Sequence, residues 1–107
     1  MLNLFGKKEM DKLAAKNFWI WFAENEDWIV TNLAKNGMAV VEVIDAELKP
    51  LFPYYKKDLE FQLGFHEGKG EFFFFHMGNK RLKHDAEVLQ SMMASKLSAR
   101  WVFIIEK

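Results

Sequence analysis

Three histidines, His66, His76 and His84, carry the broadest chemistry in this sequence, because imidazole binds metals and moves protons near neutral pH. Their spacing opposes a shared metal ion. No His-x-His or His-x-x-x-His pair occurs, so no single helix turn or strand presents two of them together. With a tight turn at 67–70, His66 pairs near Glu71 and His76 near Phe61, which sets the two at opposite ends of a hairpin. His84 falls in the first turns of a later helix. The chain has no cysteine, which excludes disulfides, thiolate chemistry and Cys-based zinc sites. No metal and no cofactor are expected.

Carboxylates gather at Glu24, Glu26 and Asp27, inside the aromatic stretch "FWIWFAENEDW". General acid–base work needs a second group placed opposite, and local sequence supplies none. They read as a solvated helix face. Asn25 differs, because it falls in the apolar stripe, three residues after Phe22 and four before Ile29. A buried amide must be hydrogen-bonded, so Asn25 either ties down local backbone or lines a pocket.

The segment "GNKRLKH" raises an electrostatic question. Helix N-termini favour acidic side chains, yet Lys80, Arg81, Lys83 and His84 open this helix. Together with free backbone N–H groups, these residues could cradle a phosphate or carboxylate. The alternative is a solvated basic turn, since exposed lysines there lose only tenths of a kcal/mol. The Gly-rich loop of a true phosphate motif is missing. No Gly-x-Ser-x-Gly, Walker or dinucleotide fingerprint is present either, and Ser91, Ser95 and Ser98 sit in or after the last helix.

These residues must be positioned by one small domain, since 107 residues fit a single core. Fifteen basic residues balance fifteen acidic ones, which argues against nucleic acid as a partner. No apolar run approaches membrane-spanning length, and the start lacks a signal-peptide pattern. A cytoplasmic location is the expectation, with no membrane partner.

Residues 1–16 read as a loosely held lead, in which Asp11 can cap a short helical turn. Residues 17–35 read as one helix capped by Asn17. Phe18, Phe22, Ile29 and Leu33 form its stripe, with Trp21 and Trp28 beside it. Trp19 points partly elsewhere, toward a pocket or interface. Asn36-Gly37 stops this helix. Residues 38–52 could open as a strand, but Val40, Ile44, Leu48 and Leu51 favour a helix that ends at Pro50 and Pro53.

Residues 58–66, "DLEFQLGFH", alternate with strand period. After the "EGKG" turn, residues 71–77 give a second strand. Residues 79–97 read as a helix capped by Asn79, with Leu82, Ala86, Leu89, Met93 and Leu97 as its stripe. Residues 100–106 form a final strand, apolar on both faces like the second. A right-handed crossover sets that strand parallel to the second, beside either it or the first. The fold class is therefore α+β, a three-stranded sheet packed by amphipathic helices.

The four consecutive phenylalanines of "EFFFFHM" have no polar side. Phe72 and Phe74 point one way; Phe73, Phe75 and Met77 point the other. The first strand carries Glu60 and Gln62 on one side and tolerates water there. A single helical layer covers one face of such a sheet. The other face then meets a second helical layer or a second copy of the chain.

The segments "FWIWFAENED", "LEFQLGF" and "WVFIIEK" resemble those of a family of small uncharacterised bacterial proteins, over residues 17–107. Phe18-Trp19, Trp21-Phe22, Asn25-Glu26, the Phe61–Phe65 strand and Trp101 carry the resemblance. It implies a compact α+β domain and brings no activity, cofactor or catalytic residue. Members of that family often have a proline near the end of the last helix, where this chain has "SKLSARW". The function expected is a non-catalytic interaction or regulatory module. Its partner is another copy or another protein, met through aromatic surface that includes Trp19, Phe73, Phe75 and Met77. An anion-binding protein and an enzyme of undefined type are the alternatives.

Overall fold

The structure, a computed structural model, describes residues 10–107. Residues 1–9 of the expected lead lie outside the described residues. Helix α1 spans Lys12–Glu24, five residues ahead of the expected start. The Asp11 carboxylate accepts from the N–H groups of Leu13 and Ala14 at 3.0 and 3.2 Å, a side-chain N-cap. Asn17 is an exposed interior residue of α1 and caps nothing. Met10 and Ala15 are buried in the core.

The single helix expected over 17–35 is bent into α1 and α2 (Glu26–Lys35) at Asn25. The Asn25 side-chain amide donates to the Trp21 carbonyl at 2.9 Å. The Asn25 backbone N–H is shared between the carbonyls of Trp21 and Phe22. Two donors crowding one carbonyl disturb the regular ladder and bend the axis. The stripe loses phase there. Phe18, Phe22 and Ile29 are buried and Trp21 and Leu33 half-buried, while Trp28 is 39% exposed.

Helix α3 spans Gly37–Leu48 and runs into a 3-10 turn at Lys49–Leu51. Residues 38–52 are thus helical from the start. Val40, Ile44, Leu48 and Leu51 are all buried, as their spacing predicts.

The strands are β1 (Glu60–His66), β2 (Lys69–Phe75) and β3 (Trp101–Glu106). The hairpin turn is two residues, not four. Glu67 and Gly68 both have positive φ, the requirement of a type I′ turn. His66 therefore pairs with Lys69, and Phe61 with Phe74. The register expected from a four-residue turn is off by two, which leaves every side chain on its expected face.

Helix α4 (Lys80–Ser91) and the one-turn α5 (Ser95–Ser98) replace the single helix expected over 79–97. The Ser91 hydroxyl donates to the Val88 carbonyl at 2.6 Å. Met92 and Met93 bond back only three residues, so the ladder tightens and ends. Strand order is β1-β2-β3, with β1 antiparallel and β3 parallel to β2. Of the two crossover placements, β3 takes the one directly beside β2.

The register sorts the sheet into two faces. Phe61, Phe65, Phe72, Phe74, Trp101 and Phe103 share one. Phe22 meets Phe72 and Trp101 at 6.1 and 5.0 Å between ring centres, Trp19 meets Phe103 at 5.6 Å, and Phe52 meets Phe74 at 5.6 Å. Gly70 lies beneath Trp101 in this layer, and a Cβ at residue 70 would overlap the indole ring. Among the described residues, each of the five helices adds buried side chains to this one cluster.

Candidate functional site

The other face of the sheet is built in rows across the three strands. Glu60, Phe75 and Glu106 form one row; Gln62, Phe73 and Ile104 the next; Gly64, Glu71 and Val102 the third. His66 and Lys69 close the hairpin end. Phe73, Phe75, Val102 and Ile104 do not belong to the core cluster or to the side chains packed against it. Val102 is 47% exposed, and the other three are half-buried. Among the described residues, the helical cover lies entirely on the opposite side. Of the two covers expected for the phenylalanine run, a second helical layer is thus not formed by residues 10–107.

This face is an apolar patch on β2 and β3 beside a polar strip on β1. Alternation puts it there. Four consecutive phenylalanines in a central strand load both faces, while β1 alternates and keeps Glu60, Gln62 and His66 outward. Among the described residues there is open space above Gly64, since a Cβ there would meet nothing within 4 Å.

Of the aromatic-surface residues expected from sequence, Phe73 and Phe75 lie on this face. Met77 does not continue it. It follows the strand with φ 55° and is 58% exposed, lining an open hollow together with Tyr54, Tyr55 and Asn79. Trp19 is no interface residue: it is 3% exposed, and its indole N–H donates to the Leu89 carbonyl at 2.8 Å, joining α1 to α4. Asn25 takes the role of an amide tying down local backbone.

The basic start of α4 does not converge on one point. Asn79 caps it, its side-chain oxygen accepting from the Leu82 N–H at 2.9 Å. Lys83 pairs with Glu87 at 3.4 Å. The Arg81 guanidinium stacks over the Tyr54 ring, 3.8 Å from its centre. The Tyr54 hydroxyl donates to the buried Asp85 at 2.5 Å, which brings a carboxylate into the cluster. Burial, then Asp85, pushes the Tyr54 phenol far above its ordinary range. Lys80 and His84 are exposed, one turn apart.

Glu26 is drawn into structure as well. It accepts from Arg100 at 2.8 and 2.5 Å and from the Trp101 indole at 3.1 Å. The hydrogen bond from Arg100 holds its carboxyl below the usual carboxylate range, against a smaller opposing effect of burial. The contact clamps the start of α2 to the start of β3, and it occupies the one half-buried member of the acidic trio. Glu24 and Asp27 are exposed. His66 and His84 are exposed. His76 is buried, and its Nδ1 accepts from the Gly78 N–H at 3.0 Å. Among the described residues, no group of three His, Asp or Glu side chains is arranged to hold a metal ion. No helix among them is long and apolar enough to cross a membrane.

The last strand reads from sequence as apolar on both faces, but Val102 and Ile104 were not singled out from it as Phe73 and Phe75 were from the second. The signal was present in "RWVFIIE", whose odd and even positions are both apolar. Which set met the helices depended on pairing with β2. Comparison with protein-family models, with curated proteins and with solved structures gives no match.

Proposed function

We propose that this chain is a non-catalytic, cytoplasmic interaction module of regulatory type, which self-associates through the sheet face that the described helices leave open. One observation supports this above the others: Phe73, Phe75, Val102 and Ile104 form a contiguous apolar patch outside the core cluster. Leaving one large apolar side chain in water forfeits about 1.5–3 kcal/mol of burial free energy. Contiguous patches of that kind mark contact surfaces. Membership in the bacterial family that the aromatic segments resemble is part of the same reading.

The size of the face sets the expected strength. Three strands about 4.8 Å apart, with residues rising about 3.4 Å, give a footprint of roughly 14 by 24 Å. Stable interfaces bury about 800 Å² per partner, so a weak, concentration-dependent dimer is expected. Sedimentation equilibrium from micromolar to near-millimolar protein tests it. Average mass should climb toward twice the chain mass, and Phe73→Ser should hold it at one. A wild-type chain that stays monomeric across the whole range overturns the proposal.

A further inference from the structure

Resting on that self-association, the charge pattern of the face points to how two copies meet. We propose a two-fold dimer in which the sheets stack with their strands antiparallel, so that Lys69 of each copy lands on the Glu60–Phe75–Glu106 row of the other.

The two ends of the face differ. One is a row of carboxylate, aromatic ring and carboxylate, drawn from three strands. The other, at the hairpin, carries Lys69 and His66. Two sheets stacked with strands parallel would set Glu60 and Glu106 of one copy against the same pair of the other. Four carboxylates would then share one rim, a repulsive arrangement. Turning one copy end for end places each ammonium over a ring flanked by two carboxylates, which suits both ion pairing and cation–π contact.

In the middle rows of this orientation each strand lies over its own copy, so that Gln62 faces Gly64, Phe73 faces Glu71 and Ile104 faces Val102, twice by symmetry. Gln62 enters the open space above Gly64 and comes beside Glu71, which an amide N–H can satisfy. Ile104 meets Val102. Stacked sheets cross at about 30°, which shifts the ends, roughly 10 Å from the centre, sideways by about one strand spacing. Lys69 then still lies over the same row, nearer one of its carboxylates. In the single chain, the Lys69 ammonium reaches the Ala99 carbonyl at 3.2 Å, which uses one of its three donors.

Charge reversal tests the orientation by sedimentation, with circular dichroism and thermal melting as the check on folding. Glu60, Lys69 and Glu106 are all exposed, so the single chain should keep its fold. Lys69→Glu alone should weaken the dimer roughly tenfold, as should the pair Glu60→Lys with Glu106→Lys, because each sets like charges together. The chain carrying all three reversals should return to wild-type affinity. A parallel stack predicts no effect from any of them. If Phe73→Ser abolishes the dimer while the charge variants leave it unchanged, the face is used and this orientation is overturned. The same holds if the triple variant fails to recover. If wild type and every variant stay monomeric, the self-association itself has failed.

Discussion

The two faces of one three-stranded sheet carry similar side chains under opposite conditions. Phe72 and Phe74 are fully buried against rings from α1, from Phe52 just after the 3-10 turn and from β3, and every described helix adds to their layer. Phe73 and Phe75 alternate with them in the same strand and stay half-buried outside that cluster. Residue type does not separate the pairs, and neither does strand propensity. What differs is which face the crossover through α4 and the packing of α1 came to occupy. An aromatic side chain is a core element or a contact surface according to what the rest of the chain lays over it.

Three measurements would break or sharpen that contrast. The largest effect is expected at the phenylalanines. Phe72→Ala should cost about 3–5 kcal/mol in urea unfolding, the range for a large ring removed from a packed core. Phe73→Ala, measured where the chain is monomeric, should cost less than about 1 kcal/mol. Equal losses would mean that the second face is covered as well as the first.

The glycines give the next contrast. Gly70 lies under Trp101 on the helical side, and Gly64 opens onto free space on the other. Gly70→Ala should destabilise by about 1–3 kcal/mol through overpacking. Gly64→Ala should be neutral, or stabilising by up to about 1 kcal/mol, because a strand interior prefers alanine to glycine. Similar effects at both positions would contradict the assignment of faces.

The smallest effect concerns carboxylates. Glu26, on the helical side, has a folded pKa lowered by Arg100. Its contribution is present at neutral pH and fades as pH falls through the folded value, below the ordinary carboxylate range. Glu26→Gln should therefore lower the melting temperature by a few degrees at pH 7, with the gap to wild type closing in acid. Glu106→Gln, on the open face, is the control and should leave the melting temperature of the monomer nearly unchanged. A Glu26→Gln gap that persists unchanged into strong acid would remove the clamp from the account.

Much of the local structure was legible. The alternation of "LEFQLGF" and the spacing of Val40, Ile44 and Leu48 report the solvent side of each element directly. The Asp11 cap was visible as a residue type, but not as the start of the main helix. The bend at Asn25 was half legible: an amide inside an apolar stripe signals a local backbone bond, while the change in axis follows from which carbonyl it takes. Trp19 was misplaced because its face of α1 looked surplus until α4 supplied the Leu89 carbonyl. Glu26 with Arg100, and Tyr54 with Asp85, are separated by 74 and 31 residues and leave no periodic trace.

From the chain alone came the element types, the parity of each strand and the finding that the middle strand is apolar on both sides. These depend on steric preferences and side-chain period, which act over a few residues. Three-dimensional packing decided which of the two apolar faces the helices would cover, and which residues would form the remaining patch. That choice depends on the order of strands and the side taken by the crossover, neither of which a local pattern encodes.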